Sequence, residues 1–366
     1  MPLTVAIDVG PLHGARTGVG NAVEWTTRAL DGDPAVVLRP YVTSMRARVR
    51  APERRLPIPA AVALRLWARS SPPIDRLLGD PDVVHGTNYV VPPTRCPRVV
   101  SVYDCWFLDH PDHAEPDVRL AAAALRRAVG DGAQVVTSSD ATSRRVRELL
   151  ATDRVETILL GPPPPPPPAT PEDDPPAGLP DLDVFVLALG TLERRKNLPT
   201  LVAAFGRLAR EHPSVKLVMA GATGNDVDAV DRSIGRLEPA VAERVVRTGP
   251  VDQTTKSWLL RNARALAYPS LDEGFGFPIL EAQQIGTPVV ASTAGSIPQI
   301  AGAAALLSPA LDAEALAANL YWVVTNDEMH AKLVRRGHAN VARFSWEATA
   351  TRLVSTYRRL VEETHG

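Results

Sequence analysis

Short apolar runs alternate along the chain with segments that have the spacing of amphipathic helices. In the first half, residues 3–9 form an apolar run with β-branched side chains, a glycine-rich loop follows, and residues 19–30 have helical spacing. Further strand-like runs cover residues 36–42, 82–85, 99–103, 134–138 and 155–160, and helical patterns cover residues 118–129 and 142–150. Strands that alternate with helices predict a parallel, doubly wound sheet.

The same alternation restarts after a proline-rich segment. Residues 162–168 are all proline, which favours a stiff polyproline II conformation and excludes a packed core there. Strand-like runs then cover residues 184–189, 215–219, 245–247, 265–268 and 288–292, helical patterns cover 198–211 and 255–263, and residues 313–363 are largely helical. The chain is therefore predicted to be α/β, with two Rossmann-like, doubly wound parallel-sheet domains.

These patterns divide the chain into four predicted parts. The parts are an N-terminal domain at 1–161, a proline-rich linker at 162–180, a C-terminal domain at 181–345 and a final helix at 346–366. Ligands of doubly wound sheets bind at the carboxyl ends of the strands. We therefore expect the functional residues in the loops that follow strands, and a cleft between two such domains is a natural site.

Composition narrows the classes of function. The chain has 40 basic and 41 acidic residues and a net charge of -1, so it lacks the overall positive field that gathers nucleic acid. Its two cysteines, Cys96 and Cys105, form neither a disulfide framework nor a zinc-ligand pattern, and they fit a reducing cytoplasm. No apolar run is long enough to span a membrane. We expect a cytoplasmic protein with no nucleic-acid partner.

One loop carries the most specific chemistry. It joins a strand to a helix that is expected to begin near Pro278, and Gly274 and Gly276 let its backbone approach a ligand closely. Free N–H groups at a helix start favour a phosphate or a set of hydroxyls. Glu281, one turn into the helix, is placed to accept hydrogen bonds from the hydroxyls of a ribose, and Glu273 is expected at the loop mouth facing a second polyol. The alternative is a structural corner with an exposed acid.

A second loop is basic. Arg194, Arg195 and Lys196 follow the first strand of the second domain, and Asn197 is the predicted N-cap of the next helix. Cations at this position are suited to neutralise a diphosphate, arginine as a bidentate fork and lysine as a point charge. The alternative is a solvated basic turn.

The first domain opens on a glycine-rich loop at residues 14–21. Gly18 and Gly20 stand there at the start of a predicted helix, but the third glycine of a dinucleotide fingerprint and its later acid are missing. A nicotinamide cofactor is therefore not favoured. The loop either presses against a diphosphate or an acceptor, or it is a purely structural turn.

Together these segments resemble one enzyme family. The Glu273 and Glu281 pair, residues 190–197 and the early glycine loop are similar to family 4 of the retaining glycosyltransferases, the glycosyl transferases group 1, and to its mannosyltransferase-like subgroup. Residues 84–88 and 344–346 also look like family landmarks. The resemblance covers nearly the whole chain. It implies the GT-B fold of two facing Rossmann-like domains, with a last helix that crosses back to the first domain.

The resemblance also implies the substrates. A nucleotide sugar, with GDP-mannose as the best choice, binds mainly to the second domain, and a glycan or lipid-linked acceptor binds to the first. Transfer proceeds with retained anomeric configuration, and neither an essential metal nor a cofactor beyond the donor is implied.

Family roles carry over to individual positions. Glu281 corresponds to the ribose-binding glutamate and Lys196 to the diphosphate lysine, with Arg195 sharing the charge because Thr191 stands where the family often has arginine. Glu273 corresponds to the group that holds the sugar hydroxyls. It does so together with the amides of Gly274, Phe275 and Gly276.

Two positions depart from the family pattern. Many relatives have a histidine near the reacting sugar where this chain has Tyr103, so a tyrosine hydroxyl substitutes there or the site is weakened. Asp104 is then the remaining side-chain candidate near the anomeric centre, with an ordinary turn residue as the alternative. Gln299 stands where a glutamate is expected.

A run of arginines suggests a membrane contact. Between residues 46 and 69 the basic residues are Arg46, Arg48, Arg50, Arg54, Arg55, Arg65 and Arg69, opposed only by Glu53, and Leu64, Leu66 and Trp67 lie among them. Such a surface is suited to a polyprenyl-phosphate acceptor or to the anionic inner face of a membrane. The alternative is a solvated loop and helix.

Two other functions remain open from the sequence. A nucleotide-sugar epimerase on the same fold would use the donor without an acceptor. A non-catalytic subunit, suggested by Tyr103 and Gln299, would bind nucleotide sugar without turnover.

Overall fold

The computed structural model describes residues 1–14, 17–69, 72–113, 115–165, 176, 179 and 182–365. The chain divides into two compact units, a first unit of Met1–Gly161 with Phe344–Gly366 and a second unit of Pro162–Arg343. Most of the proline-rich segment predicted as a linker lies outside the described residues.

The first unit is built on a sheet of parallel strands. They are β1 (Leu3–Asp8), β2 (Val36–Thr43), β3 (Arg54–Leu56), β4 (Val83–Gly86), β5 (Arg98–Val102), β6 (Gln134–Thr137) and β7 (Val155–Thr157). The spatial order is β3-β2-β1-β4-β5-β6-β7, so the direction of winding reverses between β1 and β4. Every pair is parallel. Doubly wound sheets hold their ligands at such a reversal.

Helices join these strands. They are α1 (Gly18–Asp31), α2 (Ala60–Trp67), α3 (Asp75–Leu78), α4 (Trp106–Asp109), α5 (Pro116–Gly130) and α6 (Asp140–Leu150). The central strands β4 and β6 are buried at every residue, because helices cover both faces of the sheet.

The second unit repeats this plan. Its strands are β8 (Phe185–Leu189), β9 (Lys216–Ala220), β10 (Val245–Gly249), β11 (Ala265–Tyr268), β12 (Val289–Ser292) and β13 (Ala305–Ser308), in the order β10-β9-β8-β11-β12-β13. Its helices are α7 (Leu198–Glu211), α8 (Val227–Ile234), α9 (Pro239–Ala242), α10 (Gln253–Asn262), α11 (Phe277–Ile285), α12 (Ile297–Ala301), α13 (Ala313–Thr325) and α14 (Asp327–Val341). The winding reverses between β8 and β11.

The last helix, α15 (Trp346–His365), belongs to the first unit. Trp346 packs on Gly161, where a β-carbon would come within 2.4 Å of the indole, so only glycine fits there. Further along α15, the Tyr357 hydroxyl lies 2.6 Å from Nδ1 of the buried His85, whose Nε2 lies 2.8 Å from Ser101 Oγ. Burial lowers the pKa of His85 to about 3, so this histidine is a neutral anchor for the helix.

The alternation of strands and helices read from the sequence is present in both units, with bounds that differ by a few residues. The pattern missed β3 and β13. Only Leu56 of β3 is buried, while Arg54 and Arg55 are exposed, so the strand exists because it pairs with β2 at the sheet edge. Among the described residues, no helix is both long and apolar enough to cross a membrane.

Candidate functional site

The basic loop follows β8 directly. Gly190 takes a φ of 130°, and a β-carbon on it would lie 3.3 Å from Cε of Lys196, so the loop folds its lysine back over the strand end. A short 3-10 turn, Arg194–Lys196, then leads into α7. The cations predicted at the strand end are therefore held there by the backbone.

The glutamate loop follows β11. Gly276 takes a φ of 101°, a conformation that favours glycine, and α11 begins at the next residue with Pro278 in its first turn, close to the predicted start. Gly274, Phe275 and Gly276 are buried. The loop therefore presents the first turn of α11 at the carboxyl end of β11, the place expected for an anion or a polyol.

The two loops meet because β8 and β11 are neighbours in the sheet. The Nη1 atom of Arg195 donates to Oε2 of Glu273 at 2.6 Å, and Nζ of Lys196 donates to Oε1 at 2.6 Å. Ser270 donates to the same Oε1 at 2.8 Å, and Lys196 also donates to the Tyr268 hydroxyl at 3.0 Å. One carboxylate thus holds both cations predicted for the diphosphate.

Glu273, predicted at the loop mouth, is only 6% exposed. Burial raises its pKa, but the charges of Lys196 and Arg195 and the hydrogen bonds from Lys196 and Ser270 outweigh burial and lower the pKa to about 2. Glu273 is therefore ionised at neutral pH. Its position at the side of the two cations makes it the residue that orients them.

Further polar residues fix the loops, and none of them was predicted as a site residue. Asn197 is buried at the N-cap position of α7, as predicted, but its side chain makes no capping hydrogen bond to the helix. Instead, its Nδ2 donates to the carbonyls of Pro269 at 3.0 Å and Ala310 at 2.6 Å. The amide of Ser296 donates to the Glu273 carbonyl at 2.9 Å. These hydrogen bonds fix the positions of the basic loop and the glutamate loop.

Glu281 lies on the first turns of α11, separate from this cluster. Its Oε1 accepts a hydrogen bond from Nζ of Lys256, on α10, at 2.6 Å. Both side chains keep some exposure, 15% for Glu281 and 24% for Lys256. Lys256 was not predicted as a site residue, because it belongs to another helix and only the fold brings it to Glu281.

The two glycines predicted in the first unit form the first turn of α1. Thr17 caps this helix, and its hydroxyl accepts from the Gly20 amide at 3.1 Å. A β-carbon on Gly20 would lie 3.2 Å from the Pro11 carbonyl, so packing accounts for this glycine. A β-carbon on Gly18 would meet open space, and packing does not account for it. Arg16 of the same loop lies outside the described residues.

Tyr103 and Asp104 follow β5. Oδ2 of Asp104 accepts from the Tyr89 hydroxyl at 3.1 Å and Oδ1 accepts from the Trp106 amide at 3.1 Å, so this carboxylate is fixed at the start of α4. Burial raises the pKa of Tyr103, and a hydrogen bond from Ser101 offsets that rise only in part. The Tyr103 hydroxyl thus faces the buried Ser101.

Gln299 is half-buried on α12. Within the part of the chain that the structure describes, no three histidine, cysteine or acidic side chains are grouped as a metal site.

The stretch that holds both loops, residues 170–340, matches the family of glycosyl transferases group 1. This stretch makes up most of the second unit. The resemblance indicated by the paired glutamates is thereby confirmed.

Mannosyltransferases are among the proteins to which the chain is similar. The chain is 29% identical over 290 residues to O-antigen chain mannosyltransferase B of Escherichia coli, an alignment that covers 76% of this chain and 74% of that protein. It is 32% identical over 176 residues to phosphatidyl-myo-inositol mannosyltransferase of Mycolicibacterium smegmatis, covering 47% of this chain and 44% of that protein. The second alignment thus spans less than half of the relative's length.

Solved structures share the fold over nearly the whole chain. Sucrose-phosphate synthase from Thermosynechococcus elongatus superposes with a TM-score of 0.70 at 19% identity, covering 98% of this chain and 99% of that one. HepE from Anabaena, in complex with UDP and glucose, superposes with a TM-score of 0.69 at 16% identity, covering 97% and 99%. The predicted fold class, two doubly wound parallel sheets as in the GT-B glycosyltransferases, is confirmed.

Proposed function

We propose that the protein transfers a hexose, mannose from GDP-mannose, to a glycan or glycolipid acceptor with retention of the anomeric configuration. The observation that carries the proposal is the cation pair that Glu273 holds at the adjoining ends of β8 and β11, inside a glycosyl transferases group 1 domain. The names of the mannosyltransferase relatives support mannose as the sugar.

In the proposed donor complex, the diphosphate lies against Arg195 and Lys196. Their side chains keep 20% and 13% exposure, so both can contact a ligand while they stay paired with Glu273. The three side chains together carry one net positive charge, and the start of α11 adds backbone N–H groups. Glu281 accepts hydrogen bonds from the ribose hydroxyls.

The chemistry follows from the charges that develop during transfer. The bond from the anomeric carbon to the phosphate oxygen breaks, and the acceptor oxygen forms a new bond to the same carbon. Arg195 and Lys196 stabilise the negative charge that grows on the departing diphosphate. The departing phosphate oxygen takes the acceptor's proton on the same face of the sugar, which retains the configuration. This route needs no strong protein base and is compatible with Tyr103 at its position.

Nucleotide binding tests the donor site. Glu281→Gln is expected to raise the dissociation constant for GDP about 10- to 100-fold, because hydrogen bonds to a charged group contribute about 1.5–3 kcal/mol. Isothermal titration calorimetry with GDP, UDP, dTDP and ADP measures this and identifies the preferred base.

Lys256→Met is the matched control for that experiment. It breaks the 2.6 Å ion pair with Glu281 but leaves the carboxylate in place. GDP affinity is therefore expected to change less than threefold. Equal losses in the two variants would show that Glu281 acts only through its ion pair, and no binding of any nucleotide at millimolar concentration would remove the donor site.

The arginine segment supports contact with an anionic membrane. Its arginines at positions 46, 48, 50, 54, 55, 65 and 69 are all exposed, and Met45 and Leu66 are 52% and 48% exposed beside them. Each cation near an anionic surface contributes about 1 kcal/mol. The charge reversals Arg48→Glu and Arg65→Glu together should weaken sedimentation with phosphatidylglycerol vesicles at least tenfold.

The control reverses the same number of charges in the second unit. Arg335 and Arg336 are exposed on α14, and their joint change to glutamate should leave vesicle binding within twofold. Equal binding of the wild-type protein to neutral phosphatidylcholine vesicles would contradict the membrane contact.

A further inference from the structure

Tyr268 is the last residue of β11, and its side chain is only 2% exposed. A buried hydroxyl must find a hydrogen-bond partner, whereas a phenylalanine of nearly the same shape needs none. Packing alone therefore does not account for a tyrosine at this strand end. The donor chemistry proposed above assigns the Tyr268 hydroxyl no role.

The Tyr268 hydroxyl is one of two acceptors that hold Lys196. It accepts a hydrogen bond from Nζ of the lysine at 3.0 Å, and Oε1 of Glu273 accepts another at 2.6 Å. The lysine is thus held by a neutral hydroxyl at the end of β11 and by a carboxylate on the loop that follows.

Burial and the charge of Glu273 keep this hydroxyl neutral. They raise the pKa of Tyr268 well above its ordinary value of 10.0, against the lowering effect of Arg195. A neutral acceptor orients the ammonium without cancelling its charge. The net positive charge that Arg195, Lys196 and Glu273 leave for a diphosphate is therefore kept, whereas a second carboxylate in place of Tyr268 would remove it.

Two acceptors fix the direction of the ammonium group. An ammonium has three N–H donors, and a lysine carries them on a flexible stem. Within the described parts of the chain, no third acceptor lies within hydrogen-bond distance of Nζ of Lys196. The remaining N–H is directed away from Glu273 and Tyr268, and the lysine side chain keeps 13% exposure through which a ligand can reach it. With Glu273 alone, the ammonium could turn about its single hydrogen bond.

The aromatic ring of Tyr268 makes a contact that is independent of the hydroxyl. Nζ of Lys196 lies 4.7 Å from the ring centroid, within the range of a cation–π interaction. A phenylalanine keeps the ring at this position. Tyr268→Phe therefore removes the hydrogen bond that orients the ammonium and leaves the lysine beside the ring.

We propose that Tyr268 is a positioning residue for sugar transfer, whose hydroxyl holds the Lys196 ammonium with one N–H directed at the departing diphosphate. The proposal rests on the function proposed above and adds a residue that acts on the reaction only through Lys196. Preorganised donors stabilise developing charge without reorientation during the reaction. Loss of the hydroxyl should therefore affect the rate of transfer more than the binding of the donor.

Steady-state rates of the full chain test the coupling of the two residues. Tyr268→Phe should lower kcat about 10- to 100-fold, the range for a lost hydrogen bond to a charged group, and should change KM for the donor less than about threefold. In the Lys196→Met background the same substitution should change kcat less than about twofold, because the group that Tyr268 positions is gone.

Tyr357→Phe is the matched control for these rates. It also removes a buried tyrosine hydroxyl that holds a neighbouring side chain, at 2.6 Å from His85, but it does so on α15 of the first unit. It should leave kcat within twofold of the wild type. Circular dichroism shows whether each variant is folded.

A second measurement does not depend on activity. The chain has only four lysines, Lys196, Lys216, Lys256 and Lys332, so isotope-labelled lysine gives four side-chain NMR signals that single substitutions assign. Tyr268→Phe should move the Lys196 signal before any nucleotide is added. GDP should shift this signal in the wild type and shift it less in the variant, while the Lys216 and Lys332 signals stay in place.

The proposal is overturned if Tyr268→Phe leaves either kcat or the Lys196 signal as in the wild type. It is also overturned if the substitution lowers kcat equally with and without Lys196, since the hydroxyl would then act independently of the lysine. A wild-type protein that transfers no sugar contradicts the proposed function instead. The response of the Lys196 signal to GDP then decides separately whether Tyr268 orients the ammonium.

Discussion

Lys196→Met is expected to lower kcat for sugar transfer about 100- to 1,000-fold. Removing one preorganised group that stabilises developing negative charge costs about this much in other enzymes. Nζ of Lys196 is held by Glu273 at 2.6 Å and by the Tyr268 hydroxyl at 3.0 Å, so its charge is in place before the diphosphate departs. Initial rates of nucleotide release at saturating donor and acceptor measure the effect.

Two variants separate this effect from a general loss of charge. Lys332→Met removes an exposed lysine from α14 and should leave kcat within twofold. Lys196→Arg keeps the charge but not the compact ammonium geometry, and it should retain more activity than Lys196→Met. If Lys196→Met, still folded by circular dichroism, turns over donor at the wild-type rate, the lysine has no part in the departure of the diphosphate.

Glu273→Gln is expected to lower the free energy of unfolding by about 3–5 kcal/mol. Removal of one partner of a buried ion pair costs this much because it leaves an uncompensated charge, and here two cations depend on the one carboxylate. Urea denaturation followed by circular dichroism measures the loss. Glu193→Gln is the control, because that side chain is 41% exposed and lies 3.8 Å from Arg195, and a change below about 0.5 kcal/mol is expected.

The effect should depend on pH with a definite sign. The pKa of Glu273 is lowered from 4.5 to about 2, so its stabilisation is fully present above pH 4.5 and is lost as the pH falls from there towards 2. The difference between wild type and Glu273→Gln should therefore shrink over that range. A difference that stays constant from pH 7 to pH 3, or equal stabilities of Glu273→Gln and Glu193→Gln, would contradict the charge cluster.

The general architecture was accessible from the sequence, because its strands are short apolar runs separated by helices and glycine-bearing turns. β8 and β11 are buried at every residue and read as unbroken apolar segments. β3 was missed because its two arginines are exposed at the sheet edge, and β13 because it is also an edge strand and only its Ser308 is buried. Pairing with neighbouring strands, rather than local pattern, forms these two.

The site was accessible only in part. Each loop was located, but their contact depends on β8 and β11 being neighbours, which is a property of strand order. Glu273 was expected at the loop mouth facing a polyol, and its ion pairs with Arg195 and Lys196 were not predicted.

Mannosyl transfer itself is tested most directly by product analysis. The full chain is incubated with GDP-mannose, UDP-glucose and UDP-N-acetylglucosamine, with and without a panel of neutral glycans and lipid-linked glycans, and products are separated and examined by NMR. We predict release of GDP in equal amount to an α-mannosylated acceptor, and far slower donor consumption without acceptor. Conversion of the donor to another nucleotide sugar without acceptor would identify an epimerase, and binding of nucleotides with no donor consumed would identify a non-catalytic subunit. Either result would contradict the transfer proposed here.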